Sequence, residues 1–180
     1  CMIDAPVTGS APRAQAGTLT IMVGGEARLL ERARPLLELM GERIVHAGPL
    51  GHGQTVKLIN NALAAANTVA VGEALLVGAA CGVDLDALLE VTGAGSGGST
   101  VMQLKAPAMR AHDYEPLFKL DHMLKDVELC LAAAGAAGAP FPAAARAREA
   151  LRAAASRGLG GQDFAAVLEA LEGFAGRRLT

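Results

Sequence analysis

The chain has 180 residues, of which 52% are apolar and only 3% aromatic, and its formal net charge is −2 at pH 7. This length allows one large domain, or one domain and part of another, and the charge argues against a nucleic-acid-binding protein, which needs a dense basic face. The three cysteines, Cys1, Cys81 and Cys130, are widely spaced and form no CxxC or Cys/His pattern, so we expect no disulfide scaffold, no metal site and a cytoplasmic location.

The first fifty residues predict a β–β–α–β pattern. Apolar residues that run into Asp4 and Pro6 are typical of the end of a strand, and the β-branched run 18–23, closed by Gly24, predicts a second strand. A stripe of leucines predicts a helix over residues 26–40, which Pro35 should kink or restart. Residues 43–47 predict a third strand.

The rest of the chain predicts helices only, and we place a domain boundary near Gly51. From His52 to about Ala80 no proline or polar break interrupts the pattern, and a helix of that length, roughly 40 Å at ~1.5 Å per residue, often links two domains. Asn67 and Glu73 argue against a membrane span there, which would be richer in large apolar residues. Further helices are predicted over 85–91, from 99 onwards, and over 119–137, 143–156 and 163–173, with Asp84 as the N-cap of the first.

A candidate anion-binding turn follows the first strand. Thr8, Gly9 and Ser10 form a hydroxyl–glycine–hydroxyl sequence, in which successive backbone N–H groups can converge on a carboxylate and the hydroxyls add donors. The alternative interpretation is an ordinary glycine turn.

A lysine and an amide stand one turn apart at the start of the long predicted helix. Gly51 and Gly53 lack the Walker and Rossmann spacings, whereas Lys57 and Asn61, at i and i+4, share one helix face. A lysine in a cleft can protonate a carbonyl oxygen or stabilise the alkoxide that forms there, and an asparagine can hold the substrate. The alternative is a solvated lysine and an asparagine at the edge of the core.

A third polar segment lies on the helix predicted from residue 119. Met123, Val127 and Cys130 give its buried stripe, which leaves Lys125 and Asp126 on the polar side. Such a Lys–Asp step is ordinarily a solvent-exposed surface.

The order of these segments resembles the β-hydroxyacid dehydrogenase family, which includes 3-hydroxyisobutyrate dehydrogenases and the tartronate semialdehyde and glyoxylate/succinic semialdehyde reductases. The matching motifs are DAPVTGS at 4–10, GTLTIMVGG at 17–25, GxGxxxKxxxN at 51–61 and KD at 125–126, and the resemblance runs from Asp4 to near Gly173. It implies a mostly α fold: an all-helical 6-phosphogluconate-dehydrogenase-like C-terminal domain, residues 51–180, preceded by the last β-β-α-β portion of a Rossmann-type NAD(P)-binding domain, residues 1–50.

The resemblance also implies an activity and a site. Hydride would pass between NAD or NADP and a small 3-hydroxy acid or semialdehyde, in a homodimer or a higher homo-oligomer. Lys57 matches the catalytic lysine, which acts as acid in reduction and as base in oxidation, and Asn61 matches a substrate-binding amide. Lys125 matches a lysine that approaches the cofactor, and Phe118 stands where the family often has an aromatic near the nicotinamide.

The carboxylate-binding segment departs from the family pattern. Thr8, Gly9 and Ser10 replace the usual Ser-Gly-Gly. The threonine keeps a hydroxyl donor and the serine adds bulk, so the acid-binding role is kept while the identity of the substrate stays open.

The family's amino-terminal Rossmann unit, with its GxGxxG cofactor loop, has no counterpart before Asp4, so we expect a fragment that is inactive by itself. One alternative is a non-catalytic helical dimerisation module. Another is a sugar-acid phosphate dehydrogenase similar to 6-phosphogluconate dehydrogenase, but its helical domain is far longer and its phosphate-binding Arg and Tyr cannot be placed here. The sequence does not choose between NAD and NADP.

Overall fold

The computed structural model describes all 180 residues, Cys1 to Thr180, and the chain divides into two compact units, Cys1–Asn60 and Asn61–Thr180. Most of the chain is helical, and its few strands form a single sheet. The predicted mostly α fold class is therefore confirmed.

The first unit contains the sheet. Its elements are β1 (Val7–Thr8), α1 (Ser10–Gln15), β2 (Leu19–Gly24), α2 (Ala27–Leu37) and β3 (Gly41–Gly48). The strand order is β1-β2-β3, with β1 antiparallel and β3 parallel to β2. Two parallel strands joined through a helix are the βαβ unit of Rossmann-type sheets, so the predicted β–β–α–β order is confirmed. The six-residue helix α1 was not predicted, because so short a helix has no readable periodicity.

The core of the first unit lies between β2 and α2. Ile21 and Val23 of β2 have no exposed surface and pack against Leu30 and Leu37 of α2. The prediction of a helix as far as residue 40 was too long, since α2 ends at Leu37 and turns follow. Pro35, which has no N–H to donate to the preceding turn, lies inside α2, and the helix ends two residues after it.

The second unit is a helix bundle. Helix α3 (His52–Ala80) begins in the first unit, and its part from Asn61 onwards belongs to the second. The other helices of this unit are α4 (Leu85–Ala94), α5 (Thr100–Ala111), α6 (Leu120–Ala136), α7 (Pro142–Ser156) and α8 (Val167–Ala175). A single 3-10 turn, Phe164–Ala166, leads into α8. The predicted N-cap is confirmed, because the Asp84 carboxylate accepts a hydrogen bond of 2.8 Å from the Ala87 amide.

Small residues bring the helices of the second unit together. A Cβ placed on Gly72 of α3 would lie 2.7 Å from Cδ1 of Leu171 on α8, so only glycine fits there without movement. Helix α7 contacts both α6 and α8 and buries mainly alanines: Ala144, Ala147, Ala150 and Ala154. The close approach of these helices accompanies a core filled mainly by alanine, leucine, methionine and valine rather than by aromatic side chains.

One helix, α3, is long and apolar enough to cross a membrane by length and composition. Within its most apolar stretch, 44% of the residues are buried inside the fold. Core helices of globular proteins pass the same test, so this observation is weak evidence for a membrane span.

Candidate functional site

The start of α3 is fixed by a carboxylate from the other end of the first unit. Asp4 Oδ1 accepts a hydrogen bond of 2.6 Å from the Gly51 amide, and Asp4 Oδ2 accepts one of 2.7 Å from the Gln54 amide. A carboxylate at this place satisfies two donors that no helical carbonyl can reach and interacts favourably with the helix dipole. Lys57 lies only three residues after Gln54, so Asp4 holds the turn that precedes the lysine.

The glycines before Lys57 allow this close contact. A Cβ on Gly53 would lie 2.5 Å from Asp4 Oδ2 and equally close to the Met22 carbonyl oxygen. Gly51 has φ +92°, in the region that favours glycine. Close packing of the helix start thus accounts for Gly53, and a positive φ accounts for Gly51, in the GxGxxxK pattern.

The Thr8–Ser10 segment forms a sharp turn between β1 and α1. Gly9 has φ 137° and Ser10 has φ 58°, so two consecutive residues have positive φ, and Ser10 is one of only two non-glycine residues in the chain that do. A Cβ on Gly9 would lie 2.7 Å from Cβ of Arg13, so the chain folds tightly over α1. Binding of a substrate carboxylate by Thr8, Gly9 and Ser10 stays a prediction.

Asp126 connects two of the predicted site residues. Asn61 is 5% exposed, and its Nδ2 donates a hydrogen bond of 2.7 Å to Asp126 Oδ2. The other oxygen of Asp126 forms an ion pair with Lys125 Nζ. The structure therefore brings Asn61 and Lys125 to one carboxylate, which the sequence pattern did not indicate.

The prediction that both members of the Lys125–Asp126 step are exposed was wrong for the aspartate. The Lys125 side chain is 61% exposed, whereas that of Asp126 is 11% exposed. Asp126 lies one turn after Met123 and next to Val127, both buried as predicted, so it borders the apolar stripe. Its burial is compensated by Asn61 and Lys125, one of which is distant in sequence.

Phe118 lies in the segment between α5 and α6. Its ring contacts the rings of Phe164 and His122 edge to face, with centroid distances of 6.3 and 5.9 Å. The side chain is half-buried in this cluster. Its position near a nicotinamide stays a prediction.

Two side chains are suited to contact a nicotinamide cofactor, but they do not provide a loop for its pyrophosphate. Lys125 offers an exposed cation and Phe118 a half-buried ring. Gly93, Gly95 and Gly98 have the GxGxxG spacing, but Gly93 lies in the last turn of α4 and the other two follow that helix, with no strand before them, so they are not a dinucleotide loop.

A second polar cluster, absent from the sequence-based predictions, lies in the helix bundle. Ligand-type atoms of His112, Glu169 and Glu172 lie within 4.8 Å of one another. His112 Nε2 is 2.8 Å from Glu172 Oε1, which also accepts from the Leu179 amide, and the Tyr114 hydroxyl donates to Glu169. Burial, and then the charge of Glu169, raise the pKa of Tyr114 above its usual range. Because these groups bond to one another, we assign the cluster a structural role at the end of the chain.

Comparison with known proteins places the chain in a family. Residues 51–171 match the family model described as NAD-binding of NADP-dependent 3-hydroxyisobutyrate dehydrogenase, and residues 1–48 match the NAD binding domain of 6-phosphogluconate dehydrogenase. A 2-(hydroxymethyl)glutarate dehydrogenase of Eubacterium barkeri is 36% identical over 97% of this chain, and an NAD-dependent L-serine dehydrogenase of Pseudomonas aeruginosa is 39% identical over 92%. The chain spans 58% of the length of each of these relatives.

A solved structure agrees with these sequence matches. The 3-hydroxyisobutyrate dehydrogenase of Mycobacterium tuberculosis, determined with L-serine, superposes with a TM-score of 0.86 at 33% identity. The superposition covers 94% of this chain and 60% of that one.

Both matched family models describe nucleotide-binding domains of nicotinamide-dependent dehydrogenases, and together they cover the strand-containing first part of the chain and most of its helices. Within that class, the chain belongs to the β-hydroxyacid dehydrogenase family, which confirms the resemblance inferred from its motifs. The cofactor is NAD or NADP.

Proposed function

We propose that the complete protein transfers a hydride between NAD(P) and a small 3-hydroxy acid or semialdehyde, with Lys57 as general acid and base. The observation that supports this most directly is the organisation of α3. Lys57 and Asn61 occupy consecutive turns of this helix, its start is capped by Asp4, and the Asn61 amide is oriented by Asp126.

The side chains divide the chemistry between them. When bound, the cofactor supplies or accepts the hydride. Lys57 gives a proton to the carbonyl oxygen during reduction and removes it from the hydroxyl during oxidation, a role that contributes about 10²–10⁴-fold to such rates. Asn61 holds the substrate in register, and Thr8, Gly9 and Ser10 bind its carboxylate.

Lys125 and Phe118 complete the proposed site on the cofactor side. Lys125 is paired with Asp126 yet mostly exposed, so its ammonium can also meet an anionic or amide group of a bound nucleotide. The ring of Phe118 offers an apolar surface to the nicotinamide. Residues 1–50 would then form the end of the Rossmann-type domain and residues 51–180 the substrate and dimerisation domain.

The substrate class is proposed from the relatives. They include an L-serine dehydrogenase and a 2-(hydroxymethyl)glutarate dehydrogenase, and both substrates are small carboxylates with a hydroxymethyl group. Thr8 and Ser10 depart from the family pattern in the segment that would contact the carboxylate. The acid that this protein prefers is therefore expected to differ from the substrates of these relatives.

The experiment follows the absorbance of reduced nicotinamide with a panel of small 3-hydroxy acids and semialdehydes. It compares the 180-residue chain with the same chain completed by a strand–GxGxxG–helix unit at its amino terminus. Activity is expected only in the completed chain, because the pyrophosphate of the cofactor binds at that unit. No turnover of any substrate by the completed chain would refute the proposal.

Variants of Lys57 test its role. Lys57→Ala and Lys57→Arg should both reduce kcat by about 10²–10⁴-fold, because a guanidinium keeps the charge but does not release its proton near neutral pH. Gln54→Ala is the matched control, since Gln54 is exposed on the same helix one turn earlier and uses only its backbone in the cap. Full activity in Lys57→Ala would exclude the lysine as acid and base.

We also propose that the protein is a cytoplasmic homo-oligomer. Three apolar side chains at the end of α2 and in the turn after it are exposed, with Leu36 67%, Leu39 77% and Met40 47% exposed, and exposed apolar surface favours association. Light scattering measures the oligomeric state, and the result also bears on the alternative of a non-catalytic dimerisation module. A chain that stays monomeric at high concentration, while the completed enzyme is active, would leave that alternative without support.

A further inference from the structure

One buried carboxylate outside the proposed site binds the backbone of the segment that carries Phe118. Asp163 is 2% exposed, and its Oδ2 accepts hydrogen bonds of 3.0 and 3.1 Å from the amides of Leu117 and Phe118. The same oxygen is 2.8 Å from Lys105 Nζ, while Oδ1 accepts from the Ala165 amide at 3.0 Å. All of these partners belong to the helix bundle.

The charge of this carboxylate is fully compensated. Lys105 is itself 5% exposed, and its ammonium also lies 4.5 Å from the centre of the Phe164 ring. Burial of an aspartate is costly unless it is paired and hydrogen-bonded, and removal of one partner leaves the other charge buried alone. A site with one cation and three amide donors is built for an ionised aspartate.

The backbone around Asp163 fastens the same segment from its other side. The Asp163 amide donates to the Tyr114 carbonyl at 2.9 Å, and the Phe164 amide donates to the Phe118 carbonyl at 3.1 Å. The N–H of Phe118 is therefore bound to the Asp163 side chain, and its C=O is bound to the amide of Phe164. Its ring lies edge to face against Phe164, with an interplanar angle of 82°.

The segment has no regular secondary structure of its own between Asp113 and Leu117, and Leu117 is 48% exposed. Short surface segments of this kind sample many conformations unless their backbone groups are bound. The bonds to Asp163 and Phe164 supply that restraint at the residue proposed to face the cofactor.

We propose that Asp163, held by Lys105, is a positioning residue that sets the place of Phe118 for the nicotinamide. This inference rests on the proposed function, because it assigns Phe118 to the cofactor side of the site. Asp163 does not touch the reacting atoms, and it acts through the amides of Leu117 and Phe118.

The first measurement needs no cofactor and uses the 180-residue chain. In Asp163→Asn, hydrogen exchange of the Leu117 and Phe118 amides should become about tenfold faster, the effect of losing one charge-assisted hydrogen bond. Unchanged exchange in this segment would overturn the proposal. A double variant, Lys105→Met with Asp163→Asn, removes both charges, so the outcome is readable even if the single variant folds poorly.

The second measurement is equilibrium binding of reduced NAD and NADP, followed by their fluorescence, to the completed chain. Asp163→Asn should weaken binding about tenfold, but in a Phe118→Leu background the same change should weaken it less than twofold, because the effect passes through Phe118. Glu172→Gln is the matched control: it changes another buried carboxylate, 8% exposed, that makes no bond to residues 117 and 118. That variant should bind the cofactor as the parent does.

The outcomes separate this inference from the function on which it rests. A parent enzyme that binds neither cofactor would refute the proposed function. A parent that binds cofactor, with Asp163→Asn equally tight or equally weakened in both backgrounds, would refute the positioning role alone.

Discussion

Removal of the Asp4 carboxylate should destabilise the start of α3 far more than removal of an ordinary helix cap. The two bonds of this carboxylate, at 2.6 and 2.7 Å, reach amides 47 and 50 residues away. A hydrogen bond to a charged group contributes about 1.5–3 kcal/mol to stability. Asp4→Ala should therefore lower the free energy of unfolding by roughly 3 kcal/mol, and Asp4→Asn, which keeps one acceptor, by about half of that.

Asp84→Ala is the matched control. Asp84 also caps a helix, α4, but its carboxylate accepts one bond, from an amide three residues ahead, and such a local cap contributes about 1 kcal/mol. Both substitutions remove an aspartate that accepts from an amide in the first turn of a helix, so the difference between them measures the second bond and the long-range connection.

Urea unfolding followed by circular dichroism gives the free energies, provided that the slope with urea is unchanged. Hydrogen exchange of the Gly51 and Gln54 amides shows whether the loss is local to the first turn of α3. If Asp4→Ala costs no more than Asp84→Ala, or if those two amides stay protected, the carboxylate does not hold the turn before Lys57.

Three other predictions follow from contacts already described. Gly53→Ala should destabilise the chain, because the new Cβ would lie 2.5 Å from a backbone oxygen and a side-chain oxygen. Gly135→Ala, in α6 with open space around it, should stabilise the chain by about 0.5 kcal/mol. Equal effects of the two variants in urea unfolding would contradict this reasoning. Asp126→Ala removes the acceptor of the buried Asn61 amide and should cost about 1–3 kcal/mol, with a raised KM for substrate in the completed enzyme; an unchanged KM would count against a substrate role for Asn61. Tyr114 is the only tyrosine and there is no tryptophan, so absorbance at 295 nm reports the ionisation of this residue alone. Because the pKa of Tyr114 is raised in the fold, its contribution to stability is present below pH ~10 and is lost as the pH rises further. The phenolate should therefore appear only as the helices unfold.

Local signals in the sequence predicted most of the fold. Apolar periodicity located α3 and α6, Asp84 marked the start of α4, and β-branched residues marked β2. Each of these signals depends on residues within a few positions of one another, which is why it can be read without a structure. Where an apolar pattern continues past the end of a helix, as Met40 does after α2, the predicted boundary was wrong.

The candidate site was only partly predictable, because its supporting contacts join distant residues. The motif order indicated Lys57 and Asn61, but nothing near Asp126 shows that its partner is 65 residues away. Asp4 was assigned to a strand end, while its side chain serves a helix that starts near residue 52. Carboxylates that act at long range look like ordinary surface residues in a sequence, and only their hydrogen bonds in the folded chain distinguish them.

The contact between Gly53 and Asp4 shows that residues of the GxGxxxKxxxN motif can be present for different reasons. Gly51 and Gly53 are explained by the backbone turn and the close packing at the start of α3, whereas Lys57 is the residue that we propose to carry the chemistry. A gene duplicate could lose the lysine and still keep both glycines, because the architecture would continue to select for them. Database searches by glycine spacing would then recover enzymes and inactive descendants alike, and the residue at position 57 would have to decide between them.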